Sequence, residues 1–162
     1  QNKLHWAVTG HTAAEIISQR AAAEQPNMGL TSWKGAKVRR QDVTIAKNYL
    51  NEKEIRDLNR IVTMYLDYAE TQAERRQPLY MKDWRERLDA FLQFNERQIL
   101  EHPGKVSMEV AQKLALERYN LFEKKRLAQE AAMPDEDFDQ VAKQLERKPG
   151  KGLKRNKKRG AE

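Results

Sequence analysis

A long segment near the middle of the chain has the clearest pattern of apolar and polar positions. Across residues 51–77, apolar residues recur at steps of three and four, which is the spacing of one helix face: Ile55, Leu58, Val62, Tyr65, Leu66, Ala69 and Ala73. Asn51 followed by Glu54 predicts a capping box at the start, and Pro78 predicts the end. Because Ile61 widens this face, we predict a central helix with a broad buried side.

Helical patterns also account for most of the remaining chain. Thr12 with Glu15 predicts a second capping box, and Asp42 and Ser107 are candidate caps. Helices are predicted in five further segments: 1–9, 13–23, 43–50, 81–100 and 107–130. Sustained period-two alternation, which is typical of strands, is absent. The predicted fold is therefore all-α, a single helical domain of about five to six helices around the long central helix.

The predicted organisation has three parts. A helical domain covers residues 1–131, a short acidic-to-basic helix covers 132–147, and a disordered basic tail covers 148–162. The longest irregular stretch, residues 24–40, contains Met28, Leu30, Trp33 and Val38, which predict that it is held against the body. Aromatic residues are predicted to be core residues: Tyr65, Tyr68, Trp84, Phe91 and Phe94.

Charge is distributed unevenly along the chain. Eight of the 31 basic residues and one of the 24 acidic residues lie in 147–162, so residues 1–146 carry 23 of each. The net charge of +7 therefore belongs to the carboxy-terminal end. Such a run predicts sequence-independent, salt-dependent contact with DNA or a solubilising end, and we favour DNA contact. The predicted nucleic-acid-binding residues are Lys148, Lys151, Lys154, Arg155, Lys157, Lys158 and Arg159.

Composition limits the class of protein. The chain has no cysteine, which excludes a disulfide framework and a thiolate zinc site and is compatible with the cytoplasm, where we expect it. No apolar run approaches the length of a membrane span, so we expect no membrane contact. The chain opens on Gln1 inside a predicted helix, so we expect it to be part of a longer protein.

Four stretches resemble the RhuM family of bacterial proteins: NKLHWAVTGHTAAEII, MGLTSWKG, AKNYLNEKEIRDLNRIVTMYLDYAE and WRERLDAFLQFNE. The resemblance implies that this chain is the carboxy-terminal domain of a longer protein. The amino-terminal part of that protein would resemble a winged-helix, phage antirepressor type of DNA-binding domain. It also implies a virulence-associated or mobile-element context, near restriction-modification genes. It brings no established activity.

Residues that could carry chemistry are concentrated near the amino terminus. His5 and His11 lie on either side of a Thr-Gly break, so they do not form a helical i,i+4 metal pair, and we predict neither a metal nor a cofactor. The candidate catalytic residues are His5, His11, Glu15, Arg20 and Asp42. With Glu15 and Asp42 the two histidines could converge in space on a metal or a phosphate, or the same residues could form a capping and hydrogen-bond network. Arg20 could likewise bind a phosphate or pair with a carboxylate such as Glu52 or Asp42.

Three functional hypotheses follow. We favour a non-enzymatic, nucleic-acid-associated regulatory or accessory domain, in which the body self-associates or binds a partner and the tail contacts DNA. The rival is an enzyme that acts on a nucleic acid or nucleotide through the five candidate residues. The third is a purely structural dimerisation module. The first two differ in one geometric observation, namely whether the five side chains open into one cleft.

Overall fold

The computed structural model describes residues 1–75 and 78–132, and over these residues the fold is all-helical without strands. Five α-helices follow one another along the chain: α1 (Asn2–Thr9), α2 (Ala13–Arg20), α3 (Glu52–Glu74), α4 (Met81–Phe94) and α5 (Met108–Ala132). Three short 3₁₀ turns lie between α2 and α3: Pro26–Gly29, Asp42–Thr44 and Ala46–Tyr49. The predicted all-α class is confirmed. None of the described helices is both long and apolar enough to cross a membrane.

The chain divides into two compact units, Gln1–Lys125 and Arg126–Glu162. Of the second unit, the structure describes only residues 126–132, which are helical, with Arg126 Nε 3.7 Å from the Glu130 carboxylate. The predicted helix within 132–147 and the predicted tail over 148–162 lie outside the described residues, apart from Ala132.

Helix starts follow the local sequence closely. Glu15 N–H donates to Thr12 Oγ1 at the start of α2, and Glu54 N–H donates to Asn51 Oδ1 at the start of α3. Both glutamate side chains bond back to the capping residue, so both predicted capping boxes are confirmed. Val110 N–H donates to Ser107 Oγ, 3.3 Å away, as predicted for the start of α5.

The main core lies where α2, the irregular stretch and the amino-terminal half of α3 meet α5. Its buried residues include Ile16 and Ile17 of α2, Leu58 of α3, and Ala111 and Ala115 of α5. The predicted anchors of the irregular stretch are confirmed, since the side chains at 28, 30 and 38 are buried and Trp33 packs against the core. Within α2, residues 13–17 are buried, whereas Gln19 is exposed to solvent.

Residues 43–50 differ from the prediction of one short α-helix. They form two 3₁₀ turns, and Asp42 does not cap an α-helix. Its Oδ2 instead accepts from Arg39 N–H at 2.8 Å, and its backbone carbonyl accepts from Asn48 Nδ2 at 2.9 Å. The buried Tyr49 hydroxyl donates to the Val43 carbonyl at 2.8 Å. The bonds to the Asp42 and Val43 carbonyls satisfy backbone groups that an α-helix would have paired internally.

The central helix is less buried than its apolar stripe predicts. Leu58, Ile61 and Gln72 are its buried residues, and Ile61 is only 1% exposed. Ile61 joins Ala7 of α1 and Leu92 of α4 in a second, smaller core cluster. Leu66, predicted to be on the buried face, is 61% exposed. The stripe was correct as a helical pattern, but α1 and α4 cover only part of its breadth.

Helix α4 ends earlier than predicted, at Phe94 rather than near residue 100. Asn95 Nδ2 donates to the Phe91 carbonyl at 2.8 Å, and Glu96 has a φ of 56°, which stops the helix. Tyr65, Tyr68, Trp84 and Phe91 form a partly buried aromatic cluster, with ring centroids 5.3–6.3 Å apart in the four close pairs. Phe94 is 88% exposed, so its predicted place in the core was wrong.

Candidate functional site

Glu15 connects two distant parts of the chain. Its carboxylate accepts from the backbone N–H of Thr12 and from the backbone N–H of Lys105, both at 2.8 Å. The residue is 4% exposed. Burial on its own would raise the pKa of Glu15, but the hydrogen bonds from Lys105 and Thr12 outweigh it and hold that pKa below its usual 4.5. Glu15 is therefore an ionised clamp between α2 and the segment before α5.

The close approach of these two segments explains why residue 104 is a glycine. Gly104 has a φ of +93°, and a Cβ atom there would lie 2.9 Å from Thr12 Cγ2. Nearby, the His102 ring meets the Trp6 indole edge-on, with centroids 4.7 Å apart. The residues before α5 are thus fitted closely against the turn between α1 and α2, which sequence spacing alone does not indicate.

His11 lies in a small cleft beside this clamp. Its Nδ1 is 2.9 Å from the Thr9 carbonyl, and its backbone N–H donates to Thr9 Oγ1 at 3.1 Å. The cleft has a volume of about 300 Å³ and is lined by both His11 and Glu15, together with Lys105. Both oxygens of Glu15 already accept backbone hydrogen bonds, which limits the proton transfer this cleft could support.

Arg20 forms an ion pair. Its guanidinium donates to both carboxylate oxygens of Glu54, at 2.6 and 2.7 Å, and to the Tyr49 carbonyl at 2.9 Å. The hydrogen bonds from Arg20 lower the pKa of Glu54. The expectation of a carboxylate partner agrees with this geometry, although that partner is Glu54 and not Glu52 or Asp42. The fork joins the end of α2 to the first turn of α3, which suits structural anchoring.

His5 lies in a second, larger cleft. The cleft has a volume of about 580 Å³ and is lined by residues of α1, α3, α5 and the turns at 42–49, together with Ala13 of α2. His5 is 9% exposed, its Nδ1 is 3.0 Å from the Gln1 carbonyl, and its Nε2 is a buried atom without a hydrogen-bond partner among the described protein atoms. Burial lowers the pKa of His5 below its usual 6.5, against the opposing effect of the Gln1 carbonyl.

The five candidate catalytic residues thus have different surroundings. His5 lines the 580 Å³ cleft, His11 and Glu15 line the 300 Å³ cleft, and Arg20 and Asp42 line neither. Within residues 1–75 and 78–132, no group of three or more His, Asp or Glu side chains is placed to hold a metal ion. A catalytic role for these residues stays a prediction, as does the role of the seven basic tail residues, which lie outside the described part of the chain.

A sequence model of the Virulence protein RhuM family matches residues 1–130. The chain belongs to the RhuM family. The resemblance inferred from the four sequence stretches is therefore confirmed, and both clefts lie within the matched region of this RhuM family domain. Searches among curated proteins and solved structures gave no match.

A third feature of the RhuM family domain was missed by the sequence analysis. A groove of about 460 Å³ lies on the α3–α4 hairpin and is lined by Met64, Tyr68, Arg87, Ala90, Phe91, Phe94 and Asn95. Arg87 closes one part of it by donating to Tyr68 Oη at 3.0 Å and to Gln72 Oε1 at 2.7 Å. We call this surface the hairpin groove. The spacing of the aromatic residues was the only available signal, and it is equally typical of a buried core, which is how these residues were interpreted.

Proposed function

We propose that this chain is a non-enzymatic, nucleic-acid-associated accessory domain, whose helical body self-associates and whose basic carboxy-terminal segment contacts DNA. The observation that carries the proposal is the exposure of Phe94, 88% accessible at the edge of the hairpin groove. Large exposed aromatic side chains beside an apolar groove are typical of protein-binding surfaces.

Apolar side chains around the hairpin groove remain exposed to water and can be buried by a partner. Burying a phenylalanine side chain contributes about 1.5–3 kcal/mol, and the neighbouring Ala90, Phe91 and Met64 offer further apolar surface. Aromatic residues at the centre of an interface commonly supply most of its binding energy. Arg87 is held by two neutral partners and gives the groove a positive edge. A charge at one edge only fixes the orientation in which a partner binds.

A second copy of the chain is the occupant we propose. Most soluble oligomers are homo-oligomers with twofold symmetry, in which the same surface of each subunit faces its counterpart. In such an arrangement the groove of one copy receives Phe94 of the other, and the reverse contact follows by symmetry. One exposed aromatic and one groove on the same hairpin therefore suffice for two equivalent contacts.

DNA contact is assigned to the carboxy-terminal segment because of its charge. Residues 147–162 carry the entire net charge of +7, while residues 1–146 are balanced. Self-association would bring two such segments onto one polyanion, which strengthens weak individual contacts. The dispersal of the five polar candidates over different surroundings supports this binding role over the rival catalytic one.

Sedimentation velocity over a concentration series tests the self-association. We expect the chain to form dimers, and Phe94→Asp to weaken dimerisation at least about tenfold, because the carboxylate would be desolvated at the centre of the contact. The matched control is Leu121→Asp, which places the same charge at a 54% exposed leucine on α5. A chain that stays monomeric at all concentrations, or a dimer unaffected by Phe94→Asp, would contradict the proposal.

A further inference from the structure

The charge balance of residues 1–146 conceals a local excess of positive charge. Residues 25–41 are the longest stretch of the chain without an acidic residue, and they contain four basic ones: Lys34, Lys37, Arg39 and Arg40. All four are exposed. The next acidic residue, Asp42, is only 4% exposed, and its Oδ2 accepts from Arg39 N–H. The solvent-facing side of this stretch is therefore basic.

Arg39 and Arg40 lie on a turn that the fold holds in place. Val38 and Val43, on either side of the turn, are buried, and Asp42 N–H donates to the Arg39 carbonyl at 2.9 Å. Both arginine side chains line one surface cleft of about 470 Å³, which we call the arginine cleft; its remaining lining residues are Gln41, Thr44 and Leu116. Because the turn is already ordered, presenting the two charges together costs little further entropy on binding.

Both guanidinium groups of the arginine cleft are free to bind a ligand. Neither one makes an ion pair or a side-chain hydrogen bond with another residue in the described part of the chain, whereas Arg20 and Arg118 are tied to protein oxygen atoms. No acidic residue is among those that line the cleft. Guanidinium N–H groups match the geometry of phosphate oxygens and remain charged at all ordinary pH values. The cleft therefore offers two adjacent donors suited to phosphate groups.

We propose that the arginine cleft binds the phosphate backbone of DNA, with Arg39 and Arg40 each contacting a phosphate group. Both side chains are exposed, so water and salt weaken any single contact there, and a polyanion that engages many charges at once is the partner that fits. Contacts to phosphates alone do not depend on base sequence. The inference rests on the proposed contact with DNA and adds a second place where that contact is made. The carboxy-terminal segment, with seven predicted contacts, still contributes most of the salt dependence.

Anisotropy titrations of the whole chain with a random-sequence DNA duplex, over a series of salt concentrations, test the arginine cleft. Arg39→Gln combined with Arg40→Gln should lower the slope of log affinity against log salt by about 1.8, at about 0.9 per phosphate contact, and weaken binding at low salt about tenfold. Arg39→Lys with Arg40→Lys keeps both charges and should keep the slope. The matched control, Lys53→Gln with Arg60→Gln, removes the same net charge from exposed positions of α3 outside the cleft and should leave the slope unchanged.

A pair of substitutions in the carboxy-terminal segment distinguishes this inference from the proposed function. Lys157→Gln with Lys158→Gln removes two charges from that segment. A slope that falls for this lysine pair but not for the arginine pair would overturn the arginine cleft and leave the proposed DNA contact standing. A slope that falls for the arginine pair but not for the lysine pair would support the cleft and contradict the contact assigned to the segment. An equal fall for the arginine pair and for the α3 control would show an effect of net charge alone and would also overturn the cleft.

Discussion

Replacement of Glu15 gives the sharpest prediction about stability. Glu15→Ala removes the acceptor for the backbone N–H groups of Thr12 and Lys105. Each unsatisfied buried donor costs about 1–3 kcal/mol, and a lost cap costs about 1 kcal/mol. Because Lys105 gains partial access to water when the clamp opens, we expect a total loss of about 3 kcal/mol. For a chain of this length that corresponds to a fall in Tm of about 6–12 °C.

Thermal unfolding followed by circular dichroism measures this effect. The matched control is Glu117→Ala, at an exposed position in the interior of α5, where the free energy of unfolding should change by less than about 0.5 kcal/mol. Glu15→Gln retains one acceptor oxygen and should lose about half as much stability as Glu15→Ala.

The pH dependence follows from the lowered pKa of Glu15. In the folded chain this carboxylate binds its proton less readily than in the unfolded chain, so its contribution is complete above the usual pKa of 4.5. That contribution is lost as the pH falls through the lower, folded-state pKa. The stability advantage of the unaltered chain over Glu15→Gln should therefore be constant near pH 7 and decrease below pH 4.5. An unchanged Tm for Glu15→Ala, or an advantage that does not decrease in acid, would refute the clamp.

Three further predictions concern packing and charge. Ile61→Ala should cost about 3 kcal/mol because it empties a buried position, whereas Leu66→Ala on the same helix should cost less than about 0.5 kcal/mol; urea unfolding compares them. Gly104→Ala should cost about 2 kcal/mol, since its Cβ would meet Thr12 at a positive φ, and a neutral result would contradict the close approach. Ending the chain after Glu146 should remove most binding to random-sequence duplex DNA and flatten its salt dependence in anisotropy titrations, whereas an unchanged salt slope would show that the balanced body carries a basic face.

Local features of the fold could be predicted from sequence, whereas contacts across the chain could not. The capping boxes at Thr12 and Asn51 involve residues three apart, so the pattern itself contains the partners. The clamp from Glu15 to Lys105 joins residues 90 apart, and no periodicity records such a contact. For the same reason Arg20 could be expected to pair with a carboxylate, but its partner Glu54 could not be chosen over nearby acidic residues.

Exposure was the other quantity that the sequence left open. A helical stripe shows which residues share a face, but not how many neighbouring helices cover it. Phe94 and Leu66 both continue apolar patterns that are buried elsewhere on their helices, yet both are largely exposed. The cleft around His5 was likewise not predictable as a cleft, because the elements that line it come from separate parts of the chain.

The contact between two copies at the hairpin groove is the central claim, and a distance measurement tests it most directly. Because the chain has no cysteine, Gln93→Cys introduces a single spin-label position beside Phe94, on the exposed side of α4. Pulsed dipolar spectroscopy should then show a defined distance between labels on two copies, and adding Phe94→Asp should abolish it. A signal without any defined distance between copies, at protein concentrations where the chain sediments as a dimer, would place the interface elsewhere and contradict the account.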